Sequence, residues 1–181
     1  RLLFGEANPS GKLAETWYKS YSDVPYGDEY SKKYNELYKE SVFVGYRFAK
    51  TAGVKPAFPF GFGLSYTDFE YKNPAVAIEN GIVTATLAVR NTGNRDGAEV
   101  VQLYVDNNKN SAVFKPESEL RAFGKVYLKA GEEKTVTLSF ALSELSFWNI
   151  KTNSWTLENG EYTVAIGASS EDIRLTAPLT V

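Results

Sequence analysis

Asp106, Asn108, Asn110 and Glu117 place oxygen-bearing side chains at positions 1, 3, 5 and 12 of one window, the spacing of a calcium loop. Position 6, however, is Ser111 rather than glycine, and Pro116 precedes the glutamate. The segment also leaves a strand pattern, not a helix, so the expectation is a polar loop and no metal site. Gly61-Phe62-Gly63 resembles part of a phosphate cradle but lacks the third glycine, the Lys-Ser/Thr pair and the following helix. The chain has no histidine and no cysteine, which removes the commonest general base and excludes disulfides and thiolate metal sites. Its 22 acidic residues offer many carboxylate pairs. None sits in a context that would fix two carboxyls across a substrate or raise the pKa of one, so each reads as surface charge.

Aromatic residues are the other candidates. Trp17, Tyr46, Phe48, Phe58, Phe60, Phe62 and Tyr66 could line a carbohydrate subsite, because sugars stack on aromatic faces. The favoured reading is packing between domains. Trp148 and Trp155 flank a loop and could form a binding platform, with packing in a core or at its rim as the favoured reading.

The elements that would hold these residues divide into two textures. Residues 1 to about 66 show no sustained period. Leu2, Leu3 and Phe4 before Gly5 read as the last turn of a helix, and Tyr30–Lys39 as a short helix with Tyr30, Tyr34, Leu37 and Tyr38 on one face. Within Glu40–Thr67 the run Phe58-Pro59-Phe60-Gly61-Phe62-Gly63 suits neither helix nor strand, because proline fixes φ and removes a donor while glycine frees the backbone. It reads as an ordered apolar coil that must dock against something.

From about Asp68 the apolar period becomes two. Val83, Ala85, Leu87 and Val89 alternate with Thr84, Thr86, Ala88 and Arg90. Val101, Leu103 and Val105 alternate with Gln102, Tyr104 and Asp106. Similar patterns run through Val136–Phe140, Tyr162–Ile166 and Ile173–Ala177, and Arg121–Lys129 reads as a further strand. Each pattern predicts one face in a core and one in water. Asn80-Gly81, Asn91–Gly97, Ala130-Gly131 and Asn159-Gly160 supply the turns. About seven short strands without a long helix predict an all-β, immunoglobulin-like (fibronectin type III-like) antiparallel β-sandwich with an irregular N-terminal extension.

The chain of 181 residues is 43% hydrophobic and 14% aromatic, enough for one well-packed core, with a net charge of −2. Mixed charge predicts no nucleic-acid partner, and no apolar run reaches the ~20 residues of a membrane span. The absence of Met and the opening Arg suggest a piece of a longer polypeptide.

Several segments, taken in order, resemble family 3 glycoside hydrolases of the β-glucosidase and β-xylosidase type. Phe4–Thr16 is similar to the end of that family's α/β sandwich domain, and Glu40–Arg47 and Phe58–Thr67 to the crossing into its last domain. Asn91-Thr92-Gly93, Val100–Val105, Pro116–Phe123, and Lys125–Leu128 with Ala130-Gly131-Glu132 are similar to its fibronectin type III-like domain. The resemblance implies residues 1–39 as the tail of an α/β sandwich, 40–67 as an aromatic docking linker and 68–181 as the fibronectin-like domain. Members of this kind pair these parts with an (α/β)8 barrel and cleave terminal β-linked glucose, or sometimes xylose, with retention. A barrel aspartate is the nucleophile, and a glutamate of the α/β sandwich commonly serves as acid/base.

Neither catalytic motif has a counterpart here. Ser22-Asp23 resembles part of the nucleophile motif, but Val24-Pro25 follows and no barrel strand precedes it. Phe48-Ala49 stands where paired aromatics are usual, and Ala130 where proline is common. The resemblance therefore implies no catalytic residue, no metal and no cofactor in this chain. It implies interdomain docking through Phe43, Tyr46, Arg47, Phe58, Phe60 and Phe62. The partners implied are the barrel and α/β sandwich of the same enzyme, with β-linked oligosaccharide or glycoside substrate engaged through the whole. The other reading is a stand-alone carbohydrate-binding or adhesion module.

Overall fold

The computed structural model describes residues 1–27, 34–35, 37–107 and 111–181. Among the described residues nine strands follow one another: β1 (Phe69–Glu79), β2 (Ile82–Asn91), β3 (Gly97–Asp106), β4 (Ser118–Leu128), β5 (Glu133–Ala141), β6 (Phe147–Asn149), β7 (Ser154–Thr156), β8 (Glu161–Gly167) and β9 (Ile173–Thr180). A three-stranded sheet, β1-β2-β5, faces a four-stranded sheet, β4-β3-β8-β9, and every pairing is antiparallel. These seven strands are the sandwich that the period-two patterns predict. Strands β6 and β7 form a small separate ribbon.

The core lies between the sheets. Val83, Ala85, Leu87 and Val89 of β2 and Val136, Leu138 and Phe140 of β5 meet Val101, Leu103 and Val105 of β3 and Tyr162, Val164 and Ile166 of β8, all buried. β-Branched and large aliphatic residues on alternate positions fill such a space because successive side chains of a strand point to opposite faces. Asn80 and Gly81 both have positive φ, 51° and 75°. That is what a two-residue hairpin turn requires, and it sets the register of β1 on β2. Pro74 sits inside β1, where the register slips between Lys72 and Ala75. A proline is tolerated there because β1 is an edge strand and the bulge spares a ladder bond.

The described residues before β1 lie over the sandwich and include one α-helix, α1 (Tyr46–Thr51), within the stretch read as coil. The helix expected over Tyr30–Lys39 falls largely outside the described residues. Positions 34–35 and 37–39 of that stretch are not helical. No helix among the described residues is long and apolar enough to cross a membrane.

One sequence expectation is corrected. The second face of β3 is not in water: Gln102 and Tyr104 are 3% and 1% exposed. Ala165, their neighbour on β8, is equally buried. The extension covers this outer face of the four-stranded sheet, so β3 is enclosed on both sides.

Leu103 is fully buried between the sheets. Leu103→Ala is expected to cost about 2–5 kcal/mol in a denaturant titration, the range for a large-to-small core change. A loss under about 0.5 kcal/mol would mean that the position is not packed as described.

Candidate functional site

The contact between extension and sandwich begins with a ribbon of two irregular segments. Leu13 N–H donates to the Phe62 carbonyl and Gly61 N–H to that of Leu13, each at 2.8 Å. Further along, Trp17 and Phe58 exchange bonds of 2.9 and 3.1 Å. Pro56, Pro59 and the glycines keep this ribbon out of any regular sheet. It is instead fixed from below. The Gln102 amide donates to the carbonyls of Gly61 (3.2 Å) and Ala168 (2.6 Å) and accepts from the Tyr104 hydroxyl (2.6 Å). Ser170 N–H, in the β8–β9 turn, donates to the Phe60 carbonyl at 3.0 Å. Gly61 has φ +81°, and a Cβ there would collide with the Gln102 amide. The backbone comes this close only because the residue is glycine.

Aromatic packing continues the contact. The Tyr46 ring of α1 stacks on Phe60 at 4.8 Å and meets Tyr104 edge-on at 5.8 Å. Its hydroxyl accepts from Leu120 N–H at 2.8 Å, beside the irregularity where β4 gains a residue against β3. Burial, followed by the nearby Tyr46, pushes the Tyr104 hydroxyl above the usual phenol range, so it stays a neutral donor. Arg47 and Arg121 share Glu119, at 3.3 and 2.7 Å. Lys50 pairs with Asp106 at 3.3 Å, and Glu117 N–H donates to Thr51 Oγ1 at 2.9 Å. Phe43 stacks on Phe114 of the β3–β4 connection at 4.8 Å.

A second set of contacts sits at the other end of β3. Lys12 Nζ lies 2.9 Å from Glu99, both largely buried, and also donates to the Ala168 carbonyl at 3.2 Å. Removing either partner of such a pair would strand a buried charge. Asn8 donates to the Asp96 carbonyl and accepts from Ser65 Oγ and Tyr66 N–H. Asn91, which has no exposed surface, donates to the carbonyls of Arg95 and Leu128 and accepts from Thr67 Oγ1 and Gly93 N–H. A residue that reads as a turn signal is thus a buried polar hub joining the start of β1 to the β2–β3 loop.

The six sequence-predicted docking residues fall into two groups. Tyr46, Arg47, Phe60 and Phe43 touch the sandwich. Phe58 and Phe62 pack instead on each other at 5.2 Å, with Trp17 edge-on to Phe58 at 6.2 Å, on the ribbon's own surface. Sequence reasoning missed Gln102, Tyr104, Lys12 and Asn8. The signal for the first two was the run Val100–Val105, which carries large side chains on both faces. The expectation for Trp148 and Trp155 is also corrected: they face each other across β6–β7 at 5.6 Å and are 47% and 69% exposed. Their packing is a cross-strand pair on a two-stranded ribbon, with no sheet beneath to bury them.

Several carboxylates are tied down by donors. Glu158 accepts from Lys115 Nζ (2.6 Å), Ser111 Oγ (2.7 Å) and Ala112 N–H (2.7 Å), tying the β3–β4 connection to the approach to β8. Burial works against its charge. The bonds from Lys115, Ser111 and Ala112 outweigh it and hold the carboxyl below its usual range. Glu132 is lowered too, first by the Lys129 N–H. A general acid needs the opposite shift. Of the proposed calcium ligands, Asn108 and Asn110 lie outside the described residues and Asp106 is engaged by Lys50. No cluster of three or more His, Cys, Asp or Glu among the described residues could hold a metal.

Fold and site together define an antiparallel β-sandwich overlaid by a structured N-terminal extension. Comparison with known proteins places it further. Residues 1–66 match the family model described as "Glycosyl hydrolase family 3 C-terminal domain", and residues 99–170 that of the "Fibronectin type III-like domain". Thermostable beta-glucosidase B of Acetivibrio thermocellus is 45% identical over 96% of this chain and 24% of its own length. An exo-alpha-(1->6)-L-arabinopyranosidase of Bifidobacterium breve is 42% identical over 99% of the chain and 24% of its own. The crystal structure of a Bifidobacterium adolescentis GH3 beta-glucosidase superposes with a TM-score of 0.94 at 41% identity, covering 99% of this chain and 27% of that one. The chain belongs to glycoside hydrolase family 3, to its carboxyl-terminal part. It spans about a quarter of the length of the curated relatives it matches.

Two outcomes test this interface. Gly61→Ala is expected to destabilise the chain by about 1–3 kcal/mol in urea, since it adds both φ strain and a clash. Gly11→Ala, whose Cβ would meet nothing within 4 Å, serves as a near-neutral control. A lowered folded-state pKa contributes stability above the unfolded pKa that is lost as pH falls through the folded one. The melting-temperature gap between the wild type and Glu158→Gln should therefore be full at neutral pH. It should close as pH drops below the ordinary glutamate value of about 4.3. A gap that widens on acidification would show that the Glu158 contacts do not favour its charged form.

Proposed function

We propose that this chain is the non-catalytic buttress of a retaining β-glucosidase-type enzyme that hydrolyses terminal non-reducing β-linked sugars. Its partners in that role are the (α/β)8 barrel and α/β sandwich of the same enzyme, and substrate is engaged by the whole. The observation that carries this reading is the two-sided extension. One side is fastened to the sandwich through Gln102, Tyr104 and the Lys12–Glu99 pair. The other presents Leu2, Leu3, Phe4, Trp17, Phe58 and Leu64 to solvent. A segment anchored on one face and apolar on the other suits a joint between domains.

In this reading residues 1–39 are the tail of the α/β sandwich, 40–67 the docking linker and 68–181 the fibronectin-like domain. Phe43, Tyr46, Arg47 and Phe60 hold the linker to the fibronectin-like domain, while Phe58 and Phe62 face the partner. The names of the relatives, beta-glucosidases and exo-alpha-(1->6)-L-arabinopyranosidases, support the glycosidase class.

The test is an assay of the purified chain on nitrophenyl β-glucoside and β-xyloside. No nitrophenol release is expected. Release abolished by a single Asp or Glu substitution within this chain would overturn the buttress reading, as would saturable binding of a β-linked oligosaccharide by calorimetry.

A further inference from the structure

An edge strand of a sheet offers a row of unpaired backbone N–H and C=O groups to any other strand. The two sheets of this sandwich have β1, β5, β4 and β9 at their edges. Three of these are blunted. β1 carries Pro74 and a register slip between Lys72 and Ala75. β4 gains a residue against β3 and meets α1, where the Tyr46 hydroxyl takes up Leu120 N–H. β9 contains Pro178, and its pairing with β8 slips between Ile166 and Gly167.

β5 has none of these devices. Glu133–Ala141 runs without proline, glycine or bulge, and every residue of it pairs in one register with β2. Its charges stand at one end, at Glu133 and Lys134, and Thr135–Ala141 is uncharged. Among the described residues β2 is its only strand partner. The extension lies on the outer face of the other sheet, over Gln102 and Tyr104 of β3. Two bonds show which backbone groups of β5 face outward. Leu142 N–H donates to the Gly81 carbonyl at 2.8 Å and Asn91 N–H to that of Glu132 at 2.9 Å, one at each end of the pairing. Bonded and non-bonded pairs alternate along an antiparallel ladder. Both ends give the same phase. Lys134, Val136, Leu138 and Phe140 bond to β2, while Thr135, Thr137 and Ser139 turn their N–H and C=O away from it. The side chains of these last three are exposed as well.

We propose that β5 is a dimerisation edge that pairs with β5 of a second copy of this chain, antiparallel about a twofold axis at Thr137. The inference goes beyond the buttress reading and does not rest on it. In this register Thr137 faces Thr137 of the second copy, and Thr135 faces its Ser139. That gives about six backbone bonds, with hydroxyl side chains opposed along the open face. On the inner face Val136 meets Leu138 of the second copy. Glu133 falls opposite Ala141 and Lys134 opposite Phe140, so no like charges meet. The segment is complementary to itself, which identifies the occupant as another copy rather than a foreign strand. The opposite edge of the same sheet, β1, is blocked by Pro74 and its bulge, so growth stops at two copies.

Sedimentation equilibrium of the chain between roughly 10 µM and 1 mM should show a reversible monomer–dimer equilibrium. Thr137→Lys and Thr137→Glu each set like charges face to face at the axis and should weaken dimerisation by about tenfold or more. Mixed in equal amounts at low salt, the two variants should pair again, because opposite charges then meet. Their urea midpoints should match the wild type, since position 137 is exposed and its amide makes no bond to β2. Hydrogen exchange on the wild type gives a readout that needs no variant. The amides of Thr135, Thr137 and Ser139 should slow several-fold from the lowest to the highest concentration. A wild-type chain that stays monomeric throughout overturns the inference. A dimer that both charged variants leave intact, or one in which those three amides exchange unchanged, places the contact elsewhere and also overturns it. Failure of the equimolar mixture to restore the dimer removes Thr137 as the axis, and the inference falls with it.

Discussion

The enclosure of β3 on both faces is the constraint on which the rest of this structure depends. A strand in the middle of an antiparallel sandwich ordinarily shows one face to water. Here Gln102 and Tyr104 stand on that face, and both are buried. A buried amide is costly unless its donors and acceptor are all used. Gln102 meets the condition by donating to Gly61 and Ala168 and accepting from Tyr104. One of those partners belongs to the extension. Peeling the extension away would leave the amide short of a bond and uncover Tyr104, so the sandwich is complete only with its covering layer.

The covering layer in turn has little regular structure of its own to stabilise it. Its ribbon is short, the single α-helix among its described residues is six residues long, and its prolines and glycines remove the usual ladders. What orders it is the set of fixed points on the sandwich: the Lys12–Glu99 pair, the shared Glu119, the Tyr46 hydroxyl on Leu120 and the Asn8 clip. Each is specific in direction as well as distance. Apolar contact alone would let the coil slide, whereas these polar bonds fix its register. The outer surface of the layer, including the Leu2–Phe4 turn and the Trp17–Phe58–Phe62 cluster, is thereby held in one geometry.

The same logic describes several acidic residues that lie at least partly out of water. Those that are buried have been neutralised by partners: Glu99 by Lys12, Glu119 by two arginines, Glu158 by Lys115 and two further donors. For Glu158 the bonds from its donors outweigh burial and hold the carboxyl below its usual range, which suits a tie. Hydrolysis of a glycoside calls for two carboxyls in contrasting environments.

Much of the fold was legible in the sequence, because a sandwich core is written in alternation. Val83 to Val89, Val101 to Val105 and Tyr162 to Ile166 each named their buried face, and Asn80-Gly81 named its turn, since only a few residues tolerate that backbone. The membership of the chain was legible in the order of its motifs. The fate of the other faces was not. Alternation tells which side chains share a face, but whether that face meets water depends on what the rest of the chain lays over it. That is a long-range fact, with Gly61 reaching Gln102 across 41 positions and Lys12 reaching Ala168 across 156. For the same reason Tyr46, Phe58, Phe60 and Phe62 looked alike in sequence. Only the tertiary structure divided them, because the side of an irregular ribbon on which a ring emerges is set by the contacts that pin the ribbon and by no local period.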